Sequence, residues 1–173
     1  MNSTTETDQG TAKPGTLVLG LGNDLLTDDS IGLQVAALLR QRLAGQPSIT
    51  VSETAEMGLS LLDIISGFDR LILVDAVQTG RATPGFVHRL DAADLAALPA
   101  VAPHFLGVGE ALALGRKLGL QLPERVTIFA IEVEDVFTVG TQLSPALRAA
   151  LPSIVAEIAG QVLTAPTPRS GQC

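Results

Sequence analysis

The sequence predicts an α/β domain: a three-layer α/β/α sandwich in which helices cover both faces of a mostly parallel, twisted sheet. Three observations carry that reading. Short apolar runs recur at Thr16–Gly22 (TLVLGLG), Arg70–Val77 (RLILVDAV) and Arg125–Val133, with the near-continuous hydrophobicity of strands buried on both faces. Between them lie segments whose apolar residues recur at helical spacing. The chain has 173 residues, 46% of them hydrophobic, which suits one domain around one core.

The elements follow in order. Met1–Gly15 is polar, rich in Thr and acid, and closed by Pro14-Gly15, so residues 1–15 are expected to be a disordered tail. Thr16–Gly22 is the first strand. Ser30–Leu43 carries Ile31, Val35, Leu38 and Leu39 at amphipathic spacing, with Asp28, Asp29 and Ser30 where caps and first-turn acids belong. Ile49–Glu53 alternates as a second strand. Gly58–Ile65 is a short helix that Gly67 can end.

Arg70–Val77 is the clearest buried strand, and Gly85–Leu90 is a candidate antiparallel edge strand. Ala92–Leu98 suggests a helical turn. Phe105–Leu118 is a helix with Pro103 near its first turn, Arg125–Val133 a strand, and Ser144–Leu163 a last helix opened by Ser144-Pro145. Residues 164–173 are expected to be a second flexible tail. Residues 16–163 thus form one domain, without a repeat or linker.

Composition narrows the function. The net charge is −7 and the basic residues are scattered, which argues against nucleic acid as a partner. The apolar runs of the strands are too short to span a bilayer, no basic start leads into an apolar stretch, and no membrane role is expected. The single cysteine, Cys173, cannot form an internal disulfide, which fits a cytoplasmic location. Gly20-Leu21-Gly22 lacks the third glycine of a dinucleotide loop, since Leu25 stands in its place. Phosphate-loop, H-E-x-x-H and G-x-S-x-G patterns are absent.

Ligands of such sheets bind beyond the carboxyl ends of the strands. Asp28 and Asp29 follow the first strand, Asp75 ends the third, and Glu132, Glu134 and Asp135 close the last, so acids gather on one edge. Asp75 is flanked by Leu73, Val74, Ala76 and Val77, and a carboxylate buried there needs a compensating cation, metal or set of donors. A strand-end Asp capping a loop is the simpler alternative. His104 starts the helix before the last strand, where a packing role competes with a ligand role. Two carboxylates and an imidazole, if they converge, suit Zn²⁺ or Ni²⁺ with open positions for water or substrate.

The segment Leu17–Gly32 (LVLGLGNDLLTDDSIG) resembles the opening of the hydrogenase maturation proteases, matching at Gly20, Gly22, Asn23, Leu25, Leu26, Asp28 and Asp29. Gly58–Asp63 resembles the family's second helix, Phe68–Val77 its central strand, Pro84-Gly85 the following turn, and Pro103-His104 with Leu106, Ala111 and Leu112 its Pro-His helix start. The likeness spans Leu17 to Leu163. It implies an endopeptidase, aspartyl-type or metal-dependent, that removes the C-terminal extension of a nickel-loaded hydrogenase large-subunit precursor. It carries the family's metal ligands onto Asp29, Asp75 and His104, which would touch nickel brought by the substrate, with Zn²⁺ or Cd²⁺ able to substitute in vitro. Where the family usually has a further Asp, followed by a Gly- and Thr-containing turn, this chain has Glu53-Thr54-Ala55-Glu56. Glu53, or Asp28, is then a candidate general base. Two other readings stand beside it: a metal-dependent hydrolase of a small molecule, and a nickel-sensing scaffold that binds the precursor without cutting it.

Overall fold

The computed structural model describes residues 15–91 and 103–164, with the side chains of residues 103–106 outside the description. The expected tails and the expected turn at Ala92–Leu98 also lie outside the described residues. Five strands form the sheet: β1 (Thr16–Leu21), β2 (Ile49–Thr54), β3 (Arg70–Val77), β4 (Val87–Asp91) and β5 (Arg125–Glu132). Four helices pack on it: α1 (Ile31–Arg42), α2 (Leu61–Ile65), α3 (Pro103–Lys117) and α4 (Pro145–Thr164). Single 3-10 turns at Asp28–Ser30 and Gly58–Ser60 lead into α1 and α2.

The strand order is β2-β1-β3-β5-β4, parallel except for β4, which runs antiparallel to β5 at the edge. This is the expected architecture, including its antiparallel edge. The order reverses at β1: the chain leaves β1 for β2 on one side, then crosses to β3 on the other. The crevice at the carboxyl ends of β1 and β3 is therefore the place where an open sheet of this kind holds a ligand.

Alternation along the strands builds two cores. Val18, Ile72, Val74, Phe129 and Ile131 face α1 and α4, meeting Val35, Leu39, Ile154 and Ile158. Leu17, Leu19, Leu71, Leu73 and Ile128 face the other way, toward Leu61, Ile65, Val108 and Leu112 of α2 and α3. Each side chain fully withdrawn from water contributes roughly 1.5–3 kcal/mol. Among the described helices, α4 is long and apolar enough to cross a membrane. Here it lays Leu147, Ile154, Ile158 and Val162 into the first core.

Two glycines set how closely α1 sits on the sheet. A Cβ on Gly32 would lie 2.2 Å from the Leu21 carbonyl oxygen and 2.4 Å from that of Val74. A Cβ on Gly20 would lie 2.3 Å from the Gly32 carbonyl oxygen and 2.6 Å from Ala36 Cβ. The backbones touch because neither residue has a side chain. At the free edge, Arg40 of α1 reaches over β2, donating to the Val51 carbonyl (3.3 Å) and pairing with Glu53. A charged cover of this sort blunts an exposed strand edge.

Gly32→Ala is expected to lower stability by ~3 kcal/mol or to prevent folding, because the opposing atoms are rigid backbone. Urea denaturation followed by circular dichroism measures this, and a midpoint equal to wild type would refute the close packing of α1.

Candidate functional site

Two of the expected ligands lie at the switch point. Asp29 lies in the turn between β1 and α1 and is buried, at 7% exposure. Asp75 lies in β3, two residues before its end, and is 1% exposed. Gly32, three residues beyond Asp29, packs on the carbonyl of Val74, the residue before Asp75. Asp75 shares its face of β3 with Leu71, Leu73 and Val77, the face covered by α3. One of its oxygens accepts the Ala76 N–H at 2.8 Å. His104 is the second residue of α3, and its side chain lies outside the description. The second turn of α3 nevertheless meets the start of the Gly58–Ser60 turn, where a Cβ on Gly107 would lie 3.1 Å from Gly58 N. Among the described residues no three His, Cys, Asp or Glu side chains converge as metal ligands.

Asp28 lies in the 3-10 turn before α1, where first-turn acids were expected, and its side chain reaches the start of another helix. It is fully buried, and Oδ1 accepts the N–H of Ser144 at 2.7 Å, just before α4. Its Oδ2 has no hydrogen-bond partner among the described residues. The same two loops are zipped further out. Thr27 N–H donates to the Thr138 carbonyl (3.0 Å), Gly140 N–H donates to that of Leu25 (3.0 Å), and Leu26 forms an antiparallel bridge with Val139. Asp135 shapes the far side of this ribbon by accepting the N–H groups of Phe137 (2.8 Å) and Thr138 (3.0 Å). The Thr138 hydroxyl and those two N–H groups hold its carboxyl below the usual value, against a small opposing effect of burial.

Glu53 stands at the carboxyl end of β2, in register with Gly20. Both of its carboxylate oxygens engage the Arg40 guanidinium, one of them at 3.1 Å. That fork-to-fork pair orients the group and ties β2 to α1.

A second carboxylate cluster was noted in the sequence only as an acid closing β5. Glu132 is 1% exposed. Its Oε1 accepts the N–H groups of Thr79 (2.7 Å) and Gly80 (2.8 Å), its Oε2 accepts the Thr79 hydroxyl (2.7 Å), and His88 Nε2 lies 3.0 Å from Oε2. Burial pushes its pKa up, but the bonds from Thr79, His88 and Gly80 outweigh burial and hold the carboxyl below its ordinary value. The Gln78 side chain donates to the Glu134 carbonyl next to this cluster. The loop after β3, which leaves the crevice directly beyond Asp75, is thereby fastened to the loop after β5. The only sequence signal for this was an acid at the end of an apolar strand. The partners Thr79, Gly80 and His88 are brought to it by the antiparallel return of β4.

A carboxyl with a depressed folded pKa adds stability that is fully present above the ordinary carboxyl range and is lost as pH falls through the folded value. Glu132→Ala is therefore expected to cost ~3 kcal/mol near neutrality, since several buried donors lose their acceptor. The gap between wild type and variant should narrow as pH falls through the folded value. Denaturant titrations across pH check this, and a gap independent of pH would exclude an ionised Glu132.

Comparison with known proteins places this arrangement. The family model described as hydrogenase maturation protease matches residues 33–161. The chain is 30% identical over 147 residues to the hydrogenase 2 maturation protease of Escherichia coli K12, covering 80% of this chain and 89% of that protein. It is 27% identical to the hydrogenase expression/formation protein HupD of Rhizobium leguminosarum bv. viciae, over 87% of this chain and 74% of the relative. Among solved structures, the hydrogenase maturating endopeptidase HybD from E. coli superposes with a TM-score of 0.69 at 26% identity, covering 86% of this chain and 92% of that one. The [NiFe] hydrogenase maturation protease HybD from Thermococcus kodakarensis shares the fold, with a TM-score of 0.66 at 23% identity and coverage of 86% and 99%. The family match over residues 33–161, with these relatives and this fold, identifies a peptide-bond hydrolase that belongs to the hydrogenase maturation protease family.

Proposed function

We propose that the chain removes the C-terminal extension of a nickel–iron hydrogenase large-subunit precursor in the cytoplasm, after nickel has been loaded into that precursor. The observation that supports this most directly is the burial of Asp29 and Asp75 at the carboxyl ends of β1 and β3, where Gly32, three residues past Asp29, packs on the Val74 carbonyl. In this reading Asp29, Asp75 and His104 contact the nickel that the substrate carries. The metal arrives with its protein, so cleavage waits for loading.

Bound in this way, the nickel fixes the position of the scissile bond. As the alternative to docking alone, it would also act as a Lewis acid toward the scissile carbonyl or a water. In this reading one of two carboxylates takes a proton from the attacking water. Glu53 is oriented by Arg40, and Asp28 keeps one oxygen without a partner among the described residues. General-base catalysis by such a group contributes roughly 10²–10⁴-fold.

Incubation with the cognate large-subunit precursor, with and without nickel and read by intact mass, tests the reading. Loss of a C-terminal fragment from the loaded form alone is the expected result, and an intact loaded precursor would overturn it. His104→Ala and Asp75→Asn are each expected to lower cleavage by about 100-fold or more and to abolish weak binding of Ni²⁺, Zn²⁺ or Cd²⁺. Calorimetric titration reads the binding, and undiminished affinity would remove that residue from the ligand set. Glu53→Gln and Asp28→Asn, compared at saturating substrate, assign the base: the variant with unchanged turnover is eliminated.

A further inference from the structure

The most exposed large apolar side chains at the site edge are gathered on the ribbon that joins the loop after β1 to the loop after β5. Leu25 is 64% exposed, Phe137 77% and Val139 80%. The bridge between Leu26 and Val139 and the bond from Gly140 N–H to the Leu25 carbonyl hold these residues side by side. Asp135 braces Phe137 from within its own loop. A surface of this kind, held out to water by a rigid ribbon, has the character of a binding hot spot.

Charge says what kind of partner it takes. Asp24 and Glu134, both exposed, flank the apolar residues in sequence. Arg148, the basic residue in the first turn of α4, is turned back onto Gln142 and the Leu143 carbonyl. Arg70 and Arg125 open β3 and β5, and Arg116 and Lys117 close α3, so these basic groups lie at the opposite edge of the sheet. On the ribbon itself the exposed charges are acidic.

We propose that Leu25, Phe137 and Val139, with Asp24 and Glu134, form the docking surface for an apolar segment of the protein substrate flanked by basic residues. This rests on the protease reading above and adds the chemistry of the contact. The ribbon is continuous with Asp28 and Asp29, so a segment seated on it is delivered to the crevice. Opposite charges at the rim speed and orient the encounter, while the apolar centre holds the complex.

The test is steady-state cleavage of the nickel-loaded large-subunit precursor by the full chain. Variants Phe137→Ser with Val139→Ser, and separately Leu25→Ser, are expected to raise KM about tenfold with kcat unchanged. Leu118→Ser, an exposed apolar residue beyond α3 on the opposite edge, serves as the control and should leave both unchanged. Asp24→Lys with Glu134→Lys should also raise KM, by a factor that shrinks as salt is added. Thermal melts confirm that each variant is folded, and Leu25→Ser stands independently if the double variant is not. An unchanged KM in folded variants, with the wild type still cleaving, overturns the docking surface and leaves the protease reading intact. A wild type that cannot cleave the loaded precursor overturns the protease reading itself. A fall in kcat at constant KM would make the ribbon part of the chemistry and overturn docking. So would sedimentation showing a wild-type dimer that the double variant breaks into monomers, since the surface would then be taken by a second copy.

Discussion

Everything at the crevice depends on one close approach, that of the first turn of α1 to the carbonyl ends of β1 and β3. At Gly32 and Gly20 the backbones of helix and sheet meet with no side chain between them. A methyl group at either position would push α1 outward. Asp29, three residues upstream, would then move relative to Asp75. Packed interiors resist such shifts because they are as dense as organic crystals. Gly22, the other glycine of the Gly20-Leu21-Gly22 motif, acts in the same region. Gly22, at φ +150°, adopts a backbone conformation that other residues rarely do, and a Cβ there would lie 2.2 Å from the Asp29 carbonyl oxygen. The glycines that look like a nucleotide loop in the sequence are therefore spacers that seat a carboxylate.

Around that contact the chain spends an unusual number of buried acids. Asp28, Asp29, Asp75 and Glu132 are all withdrawn from water at the same edge of the sheet. Glu132 is compensated by backbone and side-chain donors and acts as a fastener for the neighbouring loop. Among the described residues, Asp28 is compensated on one oxygen only. The two kinds of acid have different consequences. A fully bonded carboxylate holds structure, whereas one with an unmatched oxygen retains capacity to accept a proton or a further donor.

Much of this was legible in the residues. Arg70–Val77 reads as a strand with the bounds it has in the structure, because eight residues buried on both faces leave no other pattern. The placement of Asp29 and Asp75 at strand ends also followed from the sequence, since the carboxyl edge of a parallel sheet is fixed by strand direction. The partners of Asp28 and Glu132 were not legible. Ser144 is 116 residues from Asp28, and Thr79 is 53 from Glu132, and no local pattern encodes pairings across such distances. Glu53 was readable as an acid at the end of β2, but not its pairing with Arg40, which depends on how α1 lies across the edge strand. The short helix before β3 was read as one piece. The structure divides it into a 3-10 turn and five α-helical residues, a change of winding that composition does not announce.

The bond between Asp28 and Ser144 also fixes an order of events during synthesis. It joins the first loop of the domain to the residue that opens its last helix. Contacts this distant in the chain form only after the intervening segments have been made and folded. The loop carrying Asp28 and Asp29 gains this bond only when the segment leading into α4 has docked. A chain that stops before α4 therefore lacks both the donor for Asp28 and the helix that helps cover one face of the sheet.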